Sequence, residues 1–365
     1  MKKSFGLLLL ASAIAALLAI PFISAPRAKA GQLPFNGYKA LSPITHGNLA
    51  IFPVVAGTTH DTRSFLTLDE GLRSGEVVVT EAGQITPLVR RRPGYPVPQR
   101  GGGAEVNRLV LVNNSDRPLI LLAGEIVTGG KQDRVIGKDR IVPSHSDPLD
   151  LSVFCVEPGR WTATSAKFDS LGVQMAQPSV RRRAMASRDQ QQVWAEVNKS
   201  ASAMAEAVPE AAARDLRSMS SYARVMSNDE VKRQVDAVAA PVARSYESVI
   251  RRLREQNAVG VVVAVNGQIV WADIFAGPSL LEKYWPKLVR SYAAEALTAR
   301  AKLASASVRD AQEFLDNFDS TRQMVETEPG VFRHTEIVGS GFHAFQLTSL
   351  LPKTGFDIHF SKMAE

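Results

Sequence analysis

Residues 259–275 read VGVVVAVNGQIVWADIF, two apolar runs joined by Asn266-Gly267. Asn-Gly between apolar runs marks a type I′ β-hairpin, whose two turn residues take positive φ, a region that Asn tolerates and Gly adopts freely. The stretch therefore predicts two antiparallel strands. A lone two-stranded hairpin is only marginally stable in water, so these strands need a larger sheet to join. The sequence on either side is helical in pattern, and the sheet has to come from elsewhere in the chain.

It is available upstream. From Leu49 to Trp161 short apolar runs recur at close spacing, among them LAIFPVV (49–55), EVVVT (76–80), VNRLVLV (106–112), RPLILLAG (117–124) and DLSVFCVE (150–157). Such runs, separated by turn formers, predict an antiparallel β-sandwich or a partly open barrel. NNSDRP at 113–118 is rich in turn residues, which predicts an antiparallel hairpin over Asn107 to Gly124. The run RRRPGYPVPQRGGG at 90–103 cannot continue a sheet and reads as an exposed loop.

Downstream the period changes to 3.6. Ser187 and Gln190 have capping-box spacing ahead of Val193, Val197 and Met204; Ser227 and Glu230 repeat it ahead of Val231, Val235 and Val238. Pro241 predicts a break, after which Val249, Ile250 and Leu253 resume the apolar face. A further helix starts at Ser279 with Glu282 and turns Leu281, Tyr284, Leu288 and Tyr292 inward, and FRHTEIVGSGFHAFQLTSL (332–350) returns to strands. Strands first, helices later and a hairpin between them make an α+β order. The expected organisation is a signal peptide at 1–30 and one α+β domain at 31–365. Within that domain 31–165 is mainly β, 187–257 helical, 259–275 the hairpin, 279–318 helical and 331–360 strands.

The first thirty residues have the three parts of a secretory signal: Lys2 and Lys3, an apolar run from Phe5 to Ile23, and the small-residue site Ala28-Lys29-Ala30. Cleavage before Gly31 and a periplasmic address are expected. The alternative is an uncleaved anchor, since the run approaches the roughly 20 residues that span a bilayer. After cleavage no further apolar run has membrane length. Removing Lys2, Lys3, Arg27 and Lys29 lowers the formal net charge from +7 to +3, which gives no general case for a nucleic-acid partner. The single cysteine, Cys155, permits no internal disulfide; lying in an apolar strand, it is either a buried structural thiol or a nucleophile.

The chemistry concentrates in LLAGEIVTGGKQDR (121–134) and CVEPGRW (155–161). The first is no Walker loop, because Gly130 displaces Lys131 and Gln132 stands where Ser or Thr would bind the metal. Glycine beside charge leaves two readings, a wide turn with solvated side chains or a clamp for an anionic small molecule. For the clamp the candidate ligand residues are Gly129, Gly130, Lys131, Gln132, Arg134, Arg160 and Trp161, with Glu125, Asp133 and Glu157 as candidate acids or bases. His46, His60, His145, His334, His343 and His359 never fall at metal-ligand spacing, and no metal or cofactor fingerprint occurs. His334 and His343 could face each other across Gly339-Ser340-Gly341. The basic run SVRRRAMASR (179–188) reads as a helix lead-in or a contact for a polyanion.

These two stretches, with the hairpin GVVVAVNGQIVWADIF, resemble the ARG and Rhodanese-Phosphatase-superfamily-associated protein domain, an uncharacterised bacterial and archaeal family, over roughly Phe35 to Leu350. The family pattern often has Ala at the place of Gly130 and Asn at that of Asp133. The resemblance implies an association with ADP-ribosylglycohydrolase- and phosphatase-type proteins, and hence ADP-ribose-like or phosphorylated ligands, but no activity. Two function classes remain: a non-catalytic binding or structural domain of the envelope, and a hydrolase or transferase acting on an anionic small molecule. Convergence of Lys131, Arg134, Glu157 and Arg160 in one concave pocket would favour a ligand site.

Overall fold

The computed structural model describes residues 37–82, 104–253, 256–302 and 304–365. The signal segment 1–30 and the loop 90–103 lie outside the described residues.

The hairpin forms as its turn chemistry requires, with strands Ala258–Val265 and Gln268–Phe275, and with Asn266 and Gly267 at φ 53° and 72°. It lies inside a nine-stranded antiparallel sheet. On one side it pairs with Leu49–Ala56, which carries the short strands Tyr38–Ala40 and Ile44–His46. On the other follow Asp357–Ala364, Phe342–Ser349, Phe332–Gly339 and finally Ser320–Glu328.

The rest of the β region makes two further sheets. Six antiparallel strands run in the order Phe168–Met175, Glu125–Gly129, Arg134–Ile136, Leu149–Cys155, Arg108–Asn113, Val77–Glu81. The third sheet holds Arg140–Val142, Leu119–Leu121 and Leu66–Thr67, the last two parallel. Both supply one shared apolar core, including Leu66, Val79, Leu111, Leu121, Val127 and Val153. A larger core lies between the nine-stranded sheet and the helices. The fold class is α+β, as the order of patterns implied.

Several local expectations are corrected. Arg108–Asn113 and Leu119–Leu121 do not pair, and belong to different sheets. The intervening turn is held by Asn113, whose Nδ2 donates to the carbonyls of Arg117 and Pro143, sending the chain across rather than back. The helix Gln190–Ala207 is capped by Asp189, not Ser187, and Asp229–Leu253 begins on Asn228, whose side chain accepts from the Glu230 and Val231 amides. That helix also runs through Pro241 without ending. Val231, Val235, Ala239, Val242 and Tyr246 are buried on both sides of the proline, and that packing outweighs one missing hydrogen bond. The helical region expected at 279–318 holds two helices, Pro278–Thr298, which starts after Gly277 and not on a Ser279 cap, and Val308–Asp316, capped by Ser307. Among the described residues no helix is long and apolar enough to cross a membrane.

Candidate functional site

The strands Glu125–Gly129 and Arg134–Ile136 pair antiparallel, so Gly130 to Asp133 is the loop of a tight hairpin. Gly129 and Gly130 adopt φ of 130° and 48°, and a Cβ on Gly130 would stand 2.3 Å from the Phe168 ring. The loop therefore needs glycine on both conformational and steric grounds. Its amides point at side chains of the same chain. Gly129 N donates to Asp133 Oδ1 at 3.1 Å, Gly130 N to Ser165 Oγ at 3.3 Å and Lys131 N to Glu81 Oε1 at 2.8 Å. The amide cradle a phosphate would use is already filled by two carboxylates and a hydroxyl.

The second motif meets this loop through Arg160. Its Nη2 lies 2.5 Å from Glu157 Oε2 and 3.4 Å from Asp133 Oδ1; its Nη1 donates to the carbonyls of Gly130 at 2.8 Å and Thr162 at 2.7 Å. Glu157 also accepts from Asp133 N at 3.1 Å, and Asp133 Oδ2 accepts from Ser221 Oγ at 2.9 Å. Burial, and then the negative charge of Glu157, push the Asp133 carboxyl above its ordinary range. The hydrogen bond to Glu157 raises Arg160 further above its already high value.

Over this cluster opens a depression of about 420 Å³, lined among others by Gly129, Asp133, Arg160, Thr164, Asp169 and Arg224. Arg224 carries the solvent-facing cation, its side chain 65% exposed and its Nε 3.9 Å from Glu157 Oε1.

The expected residues divide into five places. Asp133, Glu157 and Arg160 come together, with Gly129 and Gly130 shaping the loop beneath them. Gln132 is buried and donates to the Glu157 carbonyl at 3.2 Å. Lys131 turns to the surface over the Trp161 ring, 4.9 Å from its centroid, and Trp161 is 45% exposed. Neither lines the depression.

Arg134 and Glu125 lie elsewhere. Arg134 is fully buried and donates Nε to the Val106 carbonyl at 2.7 Å. Glu125 sits at the other end of its strand, where Oε1 meets Lys287 Nζ at 2.8 Å and Oε2 accepts from Leu122 N at 2.8 Å; Lys287 in turn reaches Asp69 at 2.6 Å. Burial raises the Glu125 pKa. One continuous motif thus places Glu125, Gln132 and Arg134 in the interior, Asp133 at the depression and Lys131 at the surface.

Other placements are equally clear. Cys155 is buried, its Sγ accepts from Glu157 N at 3.3 Å, and burial pushes the thiol pKa up, which leaves little thiolate. His334 and His343 do not face each other: they stand opposite Leu347 and Val338. SVRRRAMASR forms the short helix Pro178–Arg182 and a π-helical turn Arg183–Ser187, with Arg181 fully buried.

Ser221, Arg224 and Asp169 were not legible as site residues. Ser221 has the position of a helix cap, accepting from Arg224 N at 3.1 Å, but nothing in the sequence ties it to Asp133, 88 residues away.

Among the described residues two antiparallel sheets, a small mixed sheet and a helical layer make an α+β protein, with a carboxylate–guanidinium depression on its surface. The chain belongs to the family ARPP-1, the ARG and Rhodanese-Phosphatase-superfamily-associated Protein domain, which matches residues 37–363. No curated protein and no solved structure is significantly similar to it.

Proposed function

We propose that the protein is an exported binding domain whose ligand, a small hydroxyl-bearing molecule of low net charge such as a sugar or a ribose-containing compound, seats in the depression between Asp133, Arg160 and Arg224. The observation that supports it best is the meeting of Asp133 and Arg160, 27 residues apart and from separate motifs, in the lining of one concavity. Charge then selects the ligand class. Asp133 and Asp169 balance Arg160 and Arg224 in the lining, and the Arg160 guanidinium is committed to Glu157 and Asp133. A polyphosphate would find one solvent-facing guanidinium. Hydroxyl groups, which donate to carboxylates and accept from guanidinium, suit the lining better. ADP-ribose-like ligands, which the family's association implies, carry such hydroxyls on their riboses, but their diphosphate would find only the Arg224 guanidinium, so the lining favours the neutral ribose compounds over them. Export rests on Lys2, Lys3, the apolar run to Ile23 and Ala28-Lys29-Ala30.

A second reading, a hydrolase or transferase, is favoured by one observation: Asp133 lines the depression with a carboxyl whose pKa is raised, the property a general acid needs. Thermal-shift titration with ribose, ribose 5-phosphate, ADP-ribose and inorganic polyphosphate separates the readings. Stabilisation by a ribose compound that disappears in Asp133→Asn and weakens in Arg224→Ala supports the binding site. A ligand that stabilises both variants as well as the parent places its site elsewhere. Slow turnover of a bound compound, abolished by Asp133→Asn while binding persists, supports the enzyme.

A further inference from the structure

The strand Ser320–Glu328, STRQMVETE, ends the nine-stranded sheet. It pairs with Phe332–Gly339 on one side, and among the described residues no strand pairs with its other edge. Seven of its nine residues are exposed, including Met324 at 39% and Val325 at 54%. A strand bare on both faces draws little from the core, and its open edge presents a row of unpaired backbone groups.

Proteins guard such edges with proline, lysine or a bulge. Here none interrupts the run from Arg322 to Glu328, whose register against Phe332–Val338 is unbroken. The charges present are Arg322, Glu326 and Glu328. Ion pairs hold two of them on one side of the sheet, Glu326 to Lys138 at 2.6 Å and Glu328 to Arg140 at 2.7 Å.

We propose that this edge pairs antiparallel with the same edge of a second copy of the chain, about a two-fold axis through Met324. Turned on itself about its midpoint, the strand is complementary. Arg322 falls opposite Glu326, Thr321 opposite Thr327, Gln323 opposite Val325 and Met324 opposite its own copy. Opposite charges and paired threonines across antiparallel strands are favourable, and a two-fold axis makes each unlike pair occur twice. Shifting the axis to Val325 would oppose Arg322 to Glu328, but it sets the Glu326 carboxylate against the Met324 side chain and Thr321 against Pro329, which cannot donate to the ladder. The register through Met324 keeps the regular run from Arg322 to Glu326 in the joint and leaves Thr321, at the register shift between Ser320 and Arg322, to its end opposite Thr327. Both exposed apolar side chains enter the joint.

Sedimentation of the purified protein across a wide concentration range, with charge reversals at the joint, tests this. The parent should form a concentration-dependent dimer. Arg322→Glu should weaken it by about ten-fold or more, because two like-charged pairs appear at once. Arg322→Glu combined with Glu326→Arg should restore it, which a merely structural role for either residue would not. Independently, Met324→Cys should give a disulfide-linked dimer on mild oxidation, since Cys155 is buried and the new thiols meet at the axis. A parent that stays monomeric at every concentration, a double reversal as weak as the single one, or a Met324→Cys protein that does not cross-link overturns the proposal.

Discussion

Arg181 and Asp273, 92 residues apart, meet in a two-pronged ion pair with Nη1 to Oδ2 at 2.8 Å and Nη2 to Oδ1 at 3.0 Å, and neither side chain has exposed surface. Arg181 also donates Nε to the Ala123 carbonyl at 3.2 Å and lies over the Trp271 ring at 4.4 Å. Asp273 accepts the Tyr292 hydroxyl and lies 3.2 Å from His359 Nε2. His359 Nδ1 is 2.6 Å from Asp139, which accepts from Ala123 N at 2.7 Å. Through these groups the hairpin strand and the C-terminal strand of the large sheet are tied to the segment leading into Glu125. Buried ions cost several kcal/mol each to desolvate, and here every charge has an opposite neighbour and directed hydrogen bonds to offset that.

Removing one partner should therefore be severe. Asp273→Ala leaves Arg181 and His359 without their shared counter-ion and should destabilise the protein by about 3–5 kcal/mol. Urea unfolding followed by circular dichroism measures it. A loss below about 1 kcal/mol would refute the account of this network.

The same network predicts a pH dependence. Burial alone would lower the His359 pKa, but the charge of Asp139 and the hydrogen bonds with Asp139 and Asp273 outweigh it and raise it from 6.5 to about 9. The folded protein thus binds this proton more tightly than the unfolded chain. Its contribution is complete below pH 6.5 and is lost as pH rises towards 9, up to about 3 kcal/mol in all. Lys362, lowered by burial to about 8, acts in the opposite sense above that pH, so the clean window is pH 6.5 to 8. Urea midpoints of the parent should fall across this window, and those of His359→Gln should not. Equal slopes in the two proteins would remove His359 as the cause.

What the sequence disclosed follows from which interactions are local. Asn266-Gly267 was legible because the turn itself demands positive φ, and Val231 with Val235 because a buried helix face repeats every 3.6 residues. The helix starts were legible only to within a few residues, since Asp189 and Asn228 satisfied the first turns instead of the serines, and the helix expected from Ser279 starts at Pro278 after Gly277, with no side-chain cap. The failed hairpin over Asn107 to Gly124 turned on side-chain bonds from Asn113 to distant carbonyls, which no local pattern encodes. Ser320–Glu328 went unread because a strand exposed on both faces has no apolar alternation. At the candidate site the two motifs were visible but their division was not. Glu125 and Arg134 look as exposed in the sequence as Lys131 does, and only pairing with Lys287 and Val106 takes them inside.

The hairpin turn carries its own prediction. A Cβ on Gly267 would lie 2.8 Å from the Ala304 carbonyl carbon, at a φ of 72° that side chains rarely adopt. Gly267→Val should cost on the order of 1–3 kcal/mol, and Gly267→Ala less but measurably, because the close approach penalises any Cβ. Thermal melts of both variants check the order, and a Val variant as stable as the parent contradicts the contact.

Export predicts a defined N-terminus. If Ala28-Lys29-Ala30 is the processing site, intact-mass measurement of protein from a periplasmic extract should show the chain beginning at Gly31. Membrane-bound protein that retains Met1 would identify an anchor instead.

Arg160 and Lys131, both drawn from the charged motifs, should behave differently. Lys131 lies at the surface against an exposed Trp161, a contact worth roughly 0.5–1 kcal/mol at such a site. The Arg160 side chain is 15% exposed and stands between Glu157 and Asp133, which are themselves 3% and 9% exposed. Arg160→Ala removes the counter-ion from two adjacent carboxylates and the donor from the Gly130 and Thr162 carbonyls, at a cost on the order of 2 kcal/mol. Without that cation the burial and the Glu157 charge that already raise the Asp133 pKa are less opposed, so Asp133 should take up its proton at a higher pH than before, and the lost stability should return in part on acidification. Chemical denaturation of both variants at neutral and mildly acidic pH tests this. An Arg160→Ala protein no weaker than Lys131→Ala, or one whose deficit grows on acidification, would show that the guanidinium does not hold the two carboxylates together.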